Sequence, residues 1–211
     1  SMKSLDATPD AFVLNPASLR ALFQRAQPFD AYVAGGTPDQ QSAWRAFELS
    51  ARQNAPMSDA QRALVASFTR RINVLVLSGT WCGDCVQQCP LLHHIAQCNP
   101  AVGAAGSIDL RFIDRDDARE LSESMQVCGG RRVPLAFMLN EDFEFVSLMG
   151  DKTLSRLRAA AARQLGASCP LPGAPVPADE VAATRADWLA EIERVHLLLR
   201  LSPKLRSRHQ D

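Results

Sequence analysis

The chain has 211 residues, of which 46% are hydrophobic, and its 23 Lys and Arg balance 23 Asp and Glu to a formal net charge of zero. That length and composition allow one sizeable core with attached helices. The balanced charge argues against a chain-wide affinity for nucleic acid or anionic lipid, so any partner surface has to be local.

The first ten residues, SMKSLDATPD, carry Asp6 and Asp10 and lack the apolar centre of a signal peptide, and Ser1 before Met2 reads as an added residue. No apolar run approaches the roughly 20 residues needed to cross a bilayer. The expectation is a cytoplasmic protein with no membrane association. Six cysteines are too few to staple a secreted scaffold of this size. A close pair in a cytosolic chain reads as catalytic or metal-binding.

Three helices are predicted first. Asn15 and Pro16 supply a cap and a first-turn proline, with Leu19, Leu22, Phe23 and Ala26 on one face and a stop before Pro28. Thr37 to Gln40 forms a capping-box pattern ahead of Trp44, Phe47 and Ala51, and Ser58 to Gln61 repeats it ahead of Leu64, Val65 and Phe68. At Ile72 the period changes. INVLVLS is a short β-branched run of the kind that forms a strand buried on both faces. It leads into WCGDC, and from Cys82 to Gln97 the pattern is helical again, with a kink expected at Pro90.

IDLRFIDRD predicts a second strand, ARELSESMQV a helix ending before Gly129-Gly130, and PLAFMLN a third strand that forms a hairpin with FEFVSLMG. The helix KTLSRLRAAAARQLG closes the unit at Gly166. After a proline-rich stretch, Val181, Trp188, Ile192, Val195 and Leu199 mark one face of a long helix, and a polar, basic tail follows. This order describes a mixed sheet flanked by helices.

Cys82 sits where the first strand hands over to a helix, and a helix N-terminus favours a thiolate through its dipole and unpaired amides. Cys82 is the expected nucleophile, and Cys85, one turn in and shielded, suits a resolving thiol. A metal is the other chemistry open to these residues: Cys85, Cys89 and His93 form one helical stripe that with Cys82 could bind zinc or an iron–sulfur cluster. Against it, ligand sets gather from several segments, and Cys98, Cys128 and Cys169 are isolated.

The strand VLVLS, Trp81-Cys82-Gly83-Asp84-Cys85, Pro90 five residues beyond the second cysteine, Val133-Pro134 and Gly150 agree in order and spacing with one family. From about Ile72 to Gly166 the sequence resembles the thioredoxin family, in particular atypical bacterial members with an added helical N-terminal segment. The resemblance implies an α/β, thioredoxin-like fold with four parts: a helical extension over 1–57, the thioredoxin-like domain over 58–166, a linker over 167–177, and a C-terminal helix and tail over 178–211. It implies a dithiol–disulfide oxidoreductase, most simply a reductant, in which Cys82 attacks a substrate disulfide and Cys85 resolves the mixed disulfide. Trp81 and Gly83 would contact substrate, and a cis Val133-Pro134 bond would bring the Val133 backbone beside an extended substrate segment. No bound cofactor and no metal are implied. The partners would be disulfide-containing proteins and a thioredoxin reductase delivering electrons from NADPH.

Three departures from the family pattern stand out. Asp84 replaces the commoner proline. Its charge, at about 6 Å and in water-like screening, should disfavour the Cys82 thiolate by about 0.7 kcal/mol, roughly half a pKa unit. Val76 replaces the buried carboxylate expected six residues before the first cysteine, which leaves Asp84 as a candidate proton acceptor for the resolving thiol, although a carboxylate that only caps the helix is the simpler reading. Arg131 and Arg132 precede Val133 and could favour acidic substrates, although a solvated pair of arginines is the simpler reading.

Cys89 reads as a small apolar filler, His93 and His94 as surface residues, and Asp114, Asp116 and Asp117 as a solvated loop. Cys128, beside Gly129-Gly130, reads as an inert thiol near the site. A different class of function also stays open: the helical extensions could recognise a partner, with the cysteines as a sensor, although apolar faces that pack on the domain itself are the simpler reading.

Overall fold

A computed structural model of the protein describes residues 12–165, 177 and 179–210. The elements begin where local chemistry says they should. Asn15 caps α1 (Pro16–Arg25), its side chain accepting from the Ser18 amide at 2.9 Å. After α2 (Phe29–Ala34), Thr37 and Ser58 start α3 (Pro38–Asn54) and α4 (Asp59–Ala66), and both capping boxes are closed in both directions. The strand β1 (Ile72–Ser78) is buried at every position. It is followed by α5 (Gly83–Ala96), which continues through Pro90, then β2 (Ile108–Asp114) and α6 (Arg119–Ser124). The chain ends with β3 (Leu135–Leu139), β4 (Phe145–Gly150), α7 (Leu154–Leu165), α8 (Glu180–Leu201) and α9 (Pro203–His209).

The four strands are ordered β2-β1-β3-β4. β1 and β2 are parallel, whereas β3 is antiparallel to both β1 and β4. This mixed sheet, flanked by helices and with helical parts at both ends, is a thioredoxin-like α/β fold. Central β1 and β3 lie between helices and are apolar through almost their whole length, as strands covered on both faces must be.

The N-terminal helices and α8 share one core with the sheet. Leu19, Leu22, Phe23, Tyr32 and Trp44 join Trp188, Ile192, Val195 and Leu199 in the same cluster as β1 and α5. α5 is held between these layers, packed against α3 and α8.

Two short helices were not anticipated. Pro28, read as the end of a helix, is the residue that starts α2, and just before it Gln27 exchanges two 2.8 Å backbone hydrogen bonds with Phe112 at the edge of the sheet. The polar tail is folded as α9: Ser202 caps it through the Leu205 amide, and Arg208 and His209 pair with Asp142. Such short helices lack the periodic apolar face by which longer ones are recognised. The proposed linker, apart from Pro177, and Cys169 lie outside the described residues.

Because Trp188 is wholly buried between α8 and the rest of the core, Trp188→Ala is expected to cost about 3–5 kcal/mol. Urea unfolding followed by tryptophan fluorescence and far-ultraviolet circular dichroism checks it. The two signals should shift together to lower urea, whereas an independently folded C-terminal helix would leave the main transition in place.

Candidate active site

At the end of β1 the chain turns through Gly79 and Thr80 into α5. A Cβ on Gly79 would lie 2.5 Å from the Trp81 indole, so the absence of a side chain lets that ring fold back over the turn. The turn is tied to α3: the Trp44 indole N–H donates to the Thr80 carbonyl at 2.9 Å, and the Thr80 hydroxyl donates to Gln40 at 2.8 Å. Trp81 is 49% exposed, and the Arg115 guanidinium lies 4.5 Å from its ring centroid.

Cys82 is the N-cap residue of α5, in extended conformation, and its carbonyl accepts the first helical bond from Val86 at 3.0 Å. The thiol is partly exposed and points at the Val133 carbonyl, 3.6 Å away. Val133-Pro134 is a cis bond, as is Gly150-Asp151. Gly150 has a φ of +137°, and a Cβ there would lie 2.1 Å from the Pro134 carbonyl oxygen, so only glycine allows this approach. The structure thus brings together Trp81, Cys82 and Cys85 from one segment and Val133 and Pro134 from another. Gly83 is exposed at the first position of α5, and a Cβ there would meet nothing within 4 Å, leaving open space beside Cys82.

Cys85 is wholly buried, and desolvation pushes its thiol well up from the ordinary thiol range. The Cys82 thiol is also pushed up, first by its hydrogen-bonded contact with Cys85 and then by partial burial; the Cys85 and Asp84 amides pull the other way. The helix-terminus effect expected to lower Cys82 is therefore present but outweighed in the resting dithiol. All five cysteines within the described residues are free thiols.

Asp84 faces away from a free role. Its carboxylate pairs with Lys152 Nζ at 2.9 Å and with Arg156 Nη2 at 2.9 Å. Burial alone would raise its carboxyl, but the hydrogen bonds and charges of Lys152 and Arg156 outweigh this and hold it below the ordinary carboxylate range. A carboxylate kept ionised in this way is a poor proton acceptor for a thiol. Its place suits charge balance at the helix start better than the proton transfer anticipated from sequence.

The two arginines before Val133 are not a free pair. Arg131 turns back to Asp116, Ser122 and the Arg115 carbonyl, while Arg132 pairs with Asp151 at 3.3 Å. Half-buried Arg115 is the cation over Trp81, and sequence reasoning missed it along with Lys152 and Arg156. Cys128 is exposed, at a φ of 50° in its loop. Cys89 is wholly buried in the apolar core, as a small filling residue is, and its sulfur lies 3.7 Å from the Ser78 hydroxyl.

The expectation that His93 and His94 are surface residues is corrected. His93 stacks on Phe29 at 4.1 Å, and His94 is 5% exposed, its imidazole pushed down to about 3 chiefly by desolvation. His93 is covered by α2, and both imidazoles face Glu48 of α3 at 4.0 Å, elements remote in sequence. Among the described residues no group of three or more His, Cys, Asp or Glu is placed to hold a metal ion, and no helix is long and apolar enough to cross a membrane.

A sequence model of the family described as Thioredoxin matches residues 26–152, more than half of the chain and a span that takes in α2 to β4. No curated protein matches the chain. Two solved structures share its fold. One is a protein of unknown function from Pseudomonas aeruginosa, with 20% identity over 82% of this chain and 93% of that one, at a TM-score of 0.60. The other is an HIV epitope-scaffold, with 22% identity over 83% of this chain and 97% of that one, at a TM-score of 0.61. At these identities the likeness is one of fold.

Two outcomes follow for Asp84→Asn. Removing one negative charge two residues from Cys82 should lower its pKa by about half a unit, read from the pH dependence of alkylation by iodoacetamide. Because the folded carboxyl is held below its unfolded value of about 3.9, the pairing adds stability above that pH and loses it as pH falls through the folded value. The stability gap between wild type and Asp84→Asn, measured by urea unfolding, should be present at neutral pH and close below about pH 4.

Proposed function

The chain belongs to the thioredoxin family, and on that premise we propose that it is a dithiol–disulfide oxidoreductase that reduces protein disulfides. The observation that carries the reading is the pairing of a partly exposed thiol at a helix N-terminus, Cys82, with a wholly buried one, Cys85. Access alone then sets the order of events.

The Cys82 thiolate attacks one sulfur of the substrate disulfide. A bond forms between Cys82 and that sulfur, and the other substrate sulfur leaves as a thiolate. Cys85 then gives up its proton and attacks Cys82 Sγ, forming the Cys82–Cys85 disulfide and releasing the second substrate thiolate. The substrate has gained two electrons and the pair has lost two. Re-reduction by a thioredoxin reductase drawing on NADPH closes the cycle, in a cytoplasmic setting.

Trp81 and Gly83 supply an apolar, unobstructed approach to Cys82, and the Val133 carbonyl beside the Cys82 thiol suits an extended substrate segment paired by main-chain hydrogen bonds. Arg115 over Trp81 places a cation beside the approach to Cys82, which favours acidic sequences beside the substrate disulfide. The alternative of a partner-binding module on the helical extensions has less to stand on, because the apolar faces of α1, α3 and α8 are buried in the core.

Insulin reduction driven by dithiothreitol tests the proposal. Wild type should accelerate it, Cys82→Ser should abolish the acceleration, and Cys85→Ser should accumulate a mixed disulfide at Cys82 visible by mass spectrometry. Turnover that persists in Cys82→Ser would rule the reading out.

A further inference from the structure

On the oxidoreductase reading given above, a substrate segment lies between two walls: the Trp81 turn after β1 on one side, and the chain leading into Pro134 on the other. Both walls are loop segments, far apart in sequence. Loops free to move would have to be ordered each time a substrate bound, at a cost in affinity. One side chain, that of Arg115, reaches both.

Arg115 is the first residue beyond β2, and its amide donates to the Ser78 carbonyl at 3.0 Å, so its backbone is anchored to the end of β1. From there the side chain spans the gap. Its guanidinium carbon lies over the Trp81 ring, 4.5 Å from the centroid, while Nη1 donates to the Arg131 carbonyl at 2.6 Å. Arg131 returns the bond: its Nη2 donates to the Arg115 carbonyl at 2.9 Å and to Asp116 at 2.8 Å, and its Nε donates to Ser122 Oγ at 2.9 Å. Ser122 is 3% exposed, and its hydroxyl donates to the same Arg115 carbonyl at 3.0 Å. The two arginines thus each bond the other's backbone, around a buried serine. Arg115 Nε is sealed from solvent, so the guanidinium is packed in place. Two residues beyond Arg131 stands Val133, whose carbonyl is 3.6 Å from Cys82 Sγ.

We propose that Arg115 is a positioning residue for substrate: clasped with Arg131, it fixes Trp81 and the chain ahead of Val133 as the two walls of one preformed groove. A guanidinium is planar and rigid, with a face that stacks on an indole and a rim of N–H donors, so it can serve both contacts at once. A lysine ammonium would supply the same charge as a compact point, without that geometry. The Cys82 and Cys85 thiols keep their places on α5 with or without the clasp, because α5 is held by the core. Arg115 therefore acts on how substrate is held and not on the exchange of sulfurs.

The experiment is steady-state reduction of insulin by dithiothreitol over a range of insulin concentrations, with wild type, Arg115→Lys, Arg115→Met and Arg131→Met. Loss of a preformed groove weakens ground-state and transition-state binding alike, so KM should rise about fivefold in both Arg115 variants while kcat stays within about twofold. Arg131→Met opens the clasp from its other side and should raise KM in the same direction. Trp81 is the exposed one of three tryptophans, Trp44 and Trp188 being wholly buried, so acrylamide quenching of tryptophan fluorescence reads its ring. Quenching should increase in Arg115→Met. A wild-type KM in Arg115→Lys shows that charge suffices and overturns the clasp, as does a fall in kcat with KM unchanged; either leaves the oxidoreductase reading intact. Absence of insulin reduction by wild type overturns that reading and the clasp with it. Arg131→Met keeps the test decisive if the Arg115 variants fail to fold, a wild-type KM there overturning the clasp.

Discussion

The candidate site depends on how α5 is held: its body is enclosed on nearly every side while its first turn is left at the surface. Cys85, Cys89, Leu91, Leu92 and Ile95 are all buried within 1% or less of exposure, between the sheet on one side and α3 and α8 on the other. A helix so enclosed cannot rotate or slide without opening the core. That fixes the N-terminus against the end of β1, with Cys82 opposite the Val133 carbonyl. The asymmetry of the two thiols, one reachable and one sealed, follows from this placement and needs no special local device.

Charge is arranged around the same helix end. Asp84 is balanced by Lys152 and Arg156, and the buried Arg156 also reaches Glu180 at 3.5 Å, which in turn pairs with Arg163 at 2.9 Å. The network ties the first turn of α5 to α7 and to the start of α8. An isolated surface pair contributes little, but a network with a largely buried arginine keeps its geometry better. The C-terminal helix is therefore joined to the site by packing through Trp188 and by charge through Glu180.

What could be read from sequence was local or periodic. The capping boxes at Thr37 and Ser58, the apolar run of β1 and the Cys82 to Cys85 spacing each announce themselves within a few residues, and the order of strands and helices was legible from the change of period. What could not be read depends on which distant residues meet. Asp84 looked like a free carboxylate because Lys152 and Arg156, its partners, lie in another segment. His93 and His94 looked exposed because the helices that cover them come from the N-terminal part. Pro28 reads equally well as a helix stop and a helix start, and so α2, with Tyr32 on it, escaped notice. The apolar faces of the N-terminal helices, which sequence reads as packing on the domain itself, lie in the same cluster as the sheet.

The central claim is that Cys82 and Cys85 alone form a reversible two-electron couple. Equilibrating the protein across a series of oxidised and reduced dithiothreitol ratios, followed by trapping of free thiols and peptide mapping, tests it most directly. The account predicts one transition, in which the Cys82–Cys85 disulfide appears and disappears while Cys89, Cys98 and Cys128 stay alkylatable throughout after unfolding. A couple that omits Cys82 or Cys85, or no reversible disulfide at any ratio, would contradict it.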